Sequence, residues 1–428
     1  MDIIIEPKEH LLGQIRVPGD KSISHRALIL SSLVEGTMEI EGLLEAEDPL
    51  STYKCLQELG VEFNGDWNRL EVKGKGLRGL REPDNFLDAG NSGTTARLLL
   101  GVLAGQPFFS ALTGDSSLRN RPMGRVTEPL KKMGASLDGR GSSTLLPLYV
   151  RGRDLTPLRY TLPVGSAQVK SALLLAALFT DGTTEIIDPF YSRDHTERMI
   201  QYLGGRMKRK NERILFETPL TLQARKIQIP GDISSASFFL VAAALAPRGE
   251  LLIEEVGINP TRTGILDVLK EMGAGVKILN EREYNYEPVA DLFIKSGAPL
   301  KGIEINAEII PRLVDEIPVL AAAALFAEGE TVIKGAGELR FKETDRLSAL
   351  TLELRKMGAL IEELPDGLVI KGKAGIRGAC CSSQGDHRIA MSLAVAALFA
   401  QGETVIQGVE TVQISFPGFF ELLKKITS

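Results

Sequence analysis

Cations, small polar residues and acids recur in this chain at one kind of place, immediately ahead of a long apolar run. Lys21, Ser22, Ser24, His25 and Arg26 follow the turn Pro18-Gly19-Asp20 and lead into ALILSSLVEG. Asn91-Ser92-Gly93-Thr94-Thr95, Ser166 with Gln168, Asp315-Glu316 and Gly385-Asp386-His387-Arg388 stand in the same relation to later runs. Each opening reads as the first turn of a helix, where free backbone N–H groups and the positive dipole end suit an anion. Lys21, Ser22 and Arg26 add donors at such an end, and Gly93 lets a ligand come close to the backbone. Arg121, ahead of Pro122, is expected at a helix start with an anion beside it. Acids at a helix start are either caps or, when they face the same ligand, general bases; Asp315 and Glu316 are the candidates. The run Arg340-Phe341-Lys342-Glu343-Thr344-Asp345-Arg346 is either a salt-linked face or a second cluster of binding and acid–base groups. Arg193 and His195 in YSRDHTERM belong to the third opening. His387 taken alone is as readily a bonded structural histidine as a catalyst.

The openings repeat. They begin at Asp20, Asn91, Ser166, Asp232, Asp315 and Asp386, 66 to 83 residues apart, and each apolar run closes on a glycine: Gly36, Gly105, Gly182, Gly249, Gly329 and Gly402. A short β-like stretch follows, as in Thr183–Ile187 and Thr331–Ile333. Then comes an amphipathic segment ending in Leu59-Gly60, Met133-Gly134, Leu203-Gly204, Met272-Gly273 or Met357-Gly358, and two strand-like runs. The chain is therefore read as six copies of a β-α-β-α-β-β unit. The fourth, PGDISSASFF, has no Lys or Arg in its first turn and reads as structural. Residues 1–19 look like a strand pair without helices, and the sixth copy lacks its strand pair. The expected division is a first domain over 20–227 and a second over 228–428 completed by 1–19. Three copies per domain would put apolar helices inside and sheets outside, an inverse α/β arrangement, with the helix starts facing a cleft between domains that closes on an anionic ligand.

The 428 residues are 43% hydrophobic and 25% charged with a net charge of −5, a globular composition without a general basic face for nucleic acid. The apolar runs are shorter than the roughly 18 residues a membrane span needs. Cys55, Cys380 and Cys381 have neither metal nor disulfide spacing, and the N-terminus shows no signal peptide, so a cytoplasmic monomer without metal or cofactor is expected.

PGDKSISHRA, NSGTTARLL, RNRP, SAQVKSALL, DEIP, KETDRL and GDHRIAM, in this order over nearly the whole chain, resemble the 5-enolpyruvylshikimate-3-phosphate synthase family. RPMGR, SAQVK and RDHTERM resemble its second sequence class, which includes herbicide-tolerant bacterial forms. The resemblance implies a two-domain inverse α/β fold. It implies transfer of the enolpyruvyl group of phosphoenolpyruvate (PEP) to the 5-hydroxyl of shikimate 3-phosphate, with release of phosphate and no cofactor. It further implies that Lys21, Ser22, Arg26, Ser166, Gln168, Asp315 and Lys342 hold shikimate 3-phosphate. Lys21, Gly93, Arg121, Gln168, Arg346 and Arg388 hold PEP. Asp315 and Glu343 serve as acid–base groups, with Lys21 and His387 near the transferred proton. Two departures stand out. Many family members have a lysine before a Thr-Phe-Pro-like sequence, where this chain has Gln413-Ile414-Ser415-Phe416-Pro417; and Gly93 occupies a position where tolerant enzymes can carry alanine. The sibling family acting on UDP-N-acetylglucosamine fits less well, because Thr113–Pro122 has no cysteine and KSISHR replaces a Lys-Asn-Ala pattern.

Overall fold

The computed structural model describes residues 1–297 and 299–428. Among them are twelve helices of eight residues or more, which alternate in character along the chain. The odd-numbered ones are α1 (Lys21–Ser32), α3 (Gly93–Leu103), α5 (Ala167–Ala177), α7 (Ile233–Leu245), α9 (Ile317–Ala324) and α11 (His387–Ala397). Their bodies are apolar all round and buried nearly throughout, which requires neighbours on every side. The even-numbered ones are α2 (Glu47–Glu58), α4 (Gly124–Lys132), α6 (His195–Tyr202), α8 (Gly264–Glu271), α10 (Arg346–Lys356) and α12 (Phe419–Thr427). These bury one face only. Five of them, α2 to α10, end on a residue followed by a left-handed glycine (Gly60, Gly134, Gly204, Gly273, Gly358). The Leu-Gly and Met-Gly pairs of the sequence are thus helix C-terminal stops. The other glycine series is different. The inner helices finish some residues earlier, and Gly36, Gly182 and Gly249 lie inside the strand that follows.

The chain divides into two compact units. One comprises Met1–Pro18, Pro230–Arg282 and Pro288–Ser428; the other comprises Gly19–Ile229 with Glu283–Glu287. In the Gly19–Ile229 unit, α1, α3 and α5 pack together at the centre. Gly101 makes this possible, since a Cβ there would stand 2.2 Å from the carbonyl oxygen of Ala172. In the other unit, α7, α9 and α11 form the corresponding centre. Six sheets, three of them in each unit, cover these centres.

Each full repeat builds one four-stranded sheet. In the second, Leu87–Asp88 runs parallel to Phe109–Thr113, which pairs antiparallel with Leu148–Arg151, itself paired with Ser136–Gly139. The third and fifth repeats follow the same order. Where the chain passes between units, the opening strands are exchanged. His10–Arg16, just ahead of α1, pairs with Arg248–Gly257 of the fourth repeat (Gly13 opposite Leu251). The first repeat instead takes Ile227–Gln228 beside Glu35–Glu41. The sixth repeat has Cys380–Ser382 and Thr404–Gln407, and its third strand is Asp2–Ile5 (Ile3 opposite Ile406).

Candidate active site

The helix starts are capped as the sequence leads one to expect, with one exception. Asp20 accepts from the Ile23 N–H (2.8 Å), Ser92 from Thr95 (3.2 Å), Ser166 from Val169 (3.4 Å), Asp232 from Ser234 (3.0 Å) and Asp386 from Arg388 (2.8 Å). At α9, Glu316 occupies the cap position but its side chain makes no capping bond. Its carboxylate instead turns inward to the Ser234 hydroxyl and the Arg262 guanidinium.

In the Gly19–Ile229 unit, Lys21 is the first residue of α1, and its Nζ lies 3.0 Å from Asp48 Oδ2 at the start of α2. Ser22 follows, half-buried. Arg26 sits one turn deeper, 3% exposed, donating to Thr196 Oγ1, Ser171 Oγ and the Ser22 carbonyl, each at 2.7 Å. Burial, with Arg193 adding to it, pushes its guanidinium down to about 10, against the opposite pull of Glu197, Asp20 and Glu287. At the start of α3 the amide of Gln168 bridges two groups, donating to Thr94 Oγ1 (2.9 Å) and accepting from Arg97 Nη1 (2.7 Å). A Cβ on Gly93 would meet that same Nη1 at 2.7 Å. Arg121 is not at a helix start. It lies in extended backbone between a 3₁₀ turn (Leu118–Asn120) and α4, where its Nη2 donates to Asn91 Oδ1 (2.7 Å) and Ser117 Oγ (3.1 Å). Its Nε is buried and has no hydrogen-bond partner.

Beneath these groups runs a buried charged layer. Lys170 on α5 is fully buried, with Nζ 2.9 Å from Asp188, 2.7 Å from Glu197 and 2.7 Å from the Ser192 carbonyl. Burial alone would raise the Asp188 carboxyl, but the Lys170 charge and the bonds from Lys170 and Ser192 outweigh it and hold it below the usual range. For Glu197 burial wins, and its carboxyl is pushed up. His195 Nδ1 lies 2.7 Å from Glu287, so the first turn of α6 is pinned as well.

The other unit gathers most of the remaining candidates around one carboxylate. Asp315 Oδ1 lies 3.6 Å from Arg346 Nη1, 3.8 Å from Lys342 Nζ and 3.9 Å from Arg388 Nε. Its carbonyl accepts from Arg388 Nη1 at 3.0 Å. Arg346, the first residue of α10, is 1% exposed and forms ion pairs with Asp386 (2.7 Å) and Glu343 (2.6 Å). Burial would lower its pKa, but Asp386, Glu343 and Asp315 together hold it well above the ordinary value. Its Nη1 makes no hydrogen bond, which leaves a buried donor available to a ligand oxygen. Lys342, with extended backbone, and Glu343 lie in the bend ahead of the helix rather than opening it. His387 is buried at the head of α11. Gln413 is exposed in the 3₁₀ turn Val409–Ile414.

The sequence reading missed Asp48, Arg97 and Lys170. Arg97 and Lys170 lie inside quoted motifs but within apolar runs, where a lone cation looks like a tolerated outlier. Asp48 had no signal, because its partner Lys21 lies 27 residues away on another helix. Among the described residues, no group of three or more His, Cys, Asp or Glu is placed to hold a metal ion, and no helix is long and apolar enough to cross a membrane.

A repeated α/β scaffold that brings cations and open amide ends to its inner-helix starts, with a carboxylate among them, defines an enzyme that works on multiply charged anions. The family described as EPSP synthase (3-phosphoshikimate 1-carboxyvinyltransferase) matches residues 5–423, and the chain belongs to it. A 3-phosphoshikimate 1-carboxyvinyltransferase from Pelotomaculum thermopropionicum is 53% identical over 427 residues, covering 100% of this chain and 99% of that protein. One from Bacillus thuringiensis subsp. konkukian is 52% identical, with 97% of each chain covered. A solved structure of EPSP synthase from Acinetobacter baumannii superposes with a TM-score of 0.90 at 42% identity, covering 100% of this chain and 98% of that one.

Proposed function

We infer that this protein transfers the enolpyruvyl group of PEP to the 5-hydroxyl of shikimate 3-phosphate in the shikimate pathway, releasing phosphate. Full-length relatives carrying that activity's name support the reaction. The observation that carries the residue assignment is the Asp315 carboxylate with Lys342, Arg346 and Arg388 within 4 Å of one of its oxygens.

Lys21, Ser22, Arg26, Ser166, Gln168, Asp315 and Lys342 are assigned to shikimate 3-phosphate, and Lys21, Gly93, Arg121, Gln168, Arg346 and Arg388 to PEP. Arg26 has three of its five N–H groups committed to the protein. Its part is to fix the Ser22 carbonyl while offering the remaining two. Asp315 takes the proton of the 5-hydroxyl as its oxygen attacks C2 of PEP, while a proton is delivered to the methylene carbon. The product of this step is a tetrahedral adduct that still bears phosphate. Removing a proton from the new methyl group as the C–O bond to phosphate breaks regenerates the enol ether. Glu343, ion-paired to Arg346, is the second acid–base group, with Lys21 and His387 assisting the transferred proton. The two compact units act as two domains, the chain works as a monomer, and its unpaired cysteines suit a cytoplasmic setting.

The test is phosphate release from PEP with shikimate 3-phosphate, against UDP-N-acetylglucosamine as acceptor, and against neither. Release only with shikimate 3-phosphate is expected; release that is independent of it would overturn the assignment.

A further inference from the structure

Glu353 lies seven residues after Arg346 on α10, two turns along the same face of the helix. Its carboxylate is fully buried, and it is saturated with donors. Lys356 Nζ reaches both oxygens (2.9 and 2.7 Å), the Ser382 N–H donates to Oε2 (2.9 Å), and Gln384 Nε2 donates to Oε1 (2.7 Å). Two of these donors belong to the turn Ser382–Gly385, which links the strand Cys380–Ser382 to α11. In that turn Gln384 (φ +52) and Gly385 (φ +73) are both left-handed. A side chain seldom holds that conformation unless its surroundings impose it, and such residues gather where a site needs them. The rest of the turn is closed by Gln384 N–H to Ser382 Oγ (3.2 Å), Gly385 N–H to Ser383 Oγ (3.2 Å) and Asp386 N–H to the Ser383 carbonyl (2.9 Å). Directly after it come Asp386, His387 and Arg388. α10 therefore grips the approach to α11 at two points: through Arg346 to Asp386, and through Glu353 to Ser382 and Gln384.

We propose that Glu353 is a positioning residue for PEP, holding the left-handed Ser382–Gly385 turn that delivers Asp386 to Arg346 and Arg388 to the substrate. It has no exposed surface with which to touch a substrate itself. The inference rests on the assignment of Arg346 and Arg388 to PEP made above. It predicts a selective defect, because the groups assigned to shikimate 3-phosphate, Lys342 and Asp315 apart, are held by other elements, and Asp315 is assigned mainly to proton transfer.

Gln384 is exposed, so Gln384→Ala loosens the turn without hollowing the core. Its KM for PEP should rise about tenfold, since small misplacements of positioning groups are costly. Its Kd for shikimate 3-phosphate, read by calorimetry, should stay within about twofold of wild type, the signature of an effect confined to one substrate. Glu353→Ala should show the same split more strongly. The double variant should be no worse than Glu353→Ala alone, because the contact that Gln384→Ala removes is already lost in Glu353→Ala. An unchanged KM for PEP in a folded Gln384→Ala enzyme, or equal weakening of both substrates, would overturn the proposal. A wild-type enzyme that releases no phosphate from PEP and shikimate 3-phosphate would sink the functional reading instead, and the wild-type arm reports that separately.

Discussion

In an Asp315→Ala enzyme, Lys342, Arg346 and Arg388 lose the carboxylate they share, but all three cations remain for anionic ligands. Turnover should fall by about 10²–10⁴-fold, the usual contribution of a general acid–base group, with shikimate 3-phosphate binding much less affected. Near wild-type turnover would refute the role given to Asp315. Lys21→Ala should behave differently, raising KM for both substrates as well as lowering kcat, because Lys21 is assigned to both anions. Gly93→Ala tests a third arrangement. Its Cβ would displace Arg97 Nη1 and so disturb the partner of Gln168. The displaced group is the far end of a flexible side chain, so the protein should fold normally, with KM for PEP raised in steady-state kinetics. The residues whose types announce chemistry, such as Lys21 or Asp315, were legible from the sequence because they cluster at helix starts. Asp48, Arg97 and Lys170 were not, because each acquires its meaning from a partner on another helix. Arg121 was found but misplaced: Pro122 does not open α4, and the arginine is held instead by Asn91 and Ser117.

The alternation of wholly apolar and one-sided helices was readable from period and composition alone, and so were the glycine stops of the outer helices. The glycines after the inner helices misled, since a helix buried on all sides ends where its sheet begins and needs no exposed glycine cap. What the pattern could not convey is the layer under the site. Lys170 on α5 is ion-paired with Asp188, just after the strand Gly182–Ile187, and with Glu197 on α6, so Lys170→Met should destabilise the protein by about 3–5 kcal/mol in urea unfolding at neutral pH. In the wild type, the depressed Asp188 contributes stability above its unfolded pKa of about 3.9, which is lost as pH falls through its lower folded value. In the variant both buried carboxylates lack their cation, so the folded pKa of Asp188 rises above its unfolded value and that of Glu197, already raised, goes higher still. The deficit should then shrink as pH falls towards about 4, the opposite slope. A deficit independent of pH would show that packing rather than charge is at stake. At the α3–α5 contact, Gly101→Ala sets a methyl against backbone rather than a movable tip. The expected cost is about 1–3 kcal/mol in the same assay.

At the scale of the whole molecule, the fragment Gly19–Ile229 contains every strand of its own three sheets, the short Ile227–Gln228 included. It should unfold cooperatively when expressed alone, as followed by circular dichroism in urea. Removing residues 1–17 from the full chain should instead cripple the other unit, because His10–Arg16 and Asp2–Ile5 are strands in two of its sheets. The exchange of opening strands also sets a timetable for synthesis. Residues 2–16 leave the ribosome long before their partners exist: His10–Arg16 must wait for Arg248–Gly257, and Asp2–Ile5 for Thr404–Gln407. At about ten residues per second, His10–Arg16 stays unpaired for roughly 25 s and Asp2–Ile5 for roughly 40 s, while three repeats behind them can already fold. A nascent chain of this protein therefore carries a loose, strand-forming segment through most of its birth, and protecting that segment falls to whatever meets it at the tunnel exit.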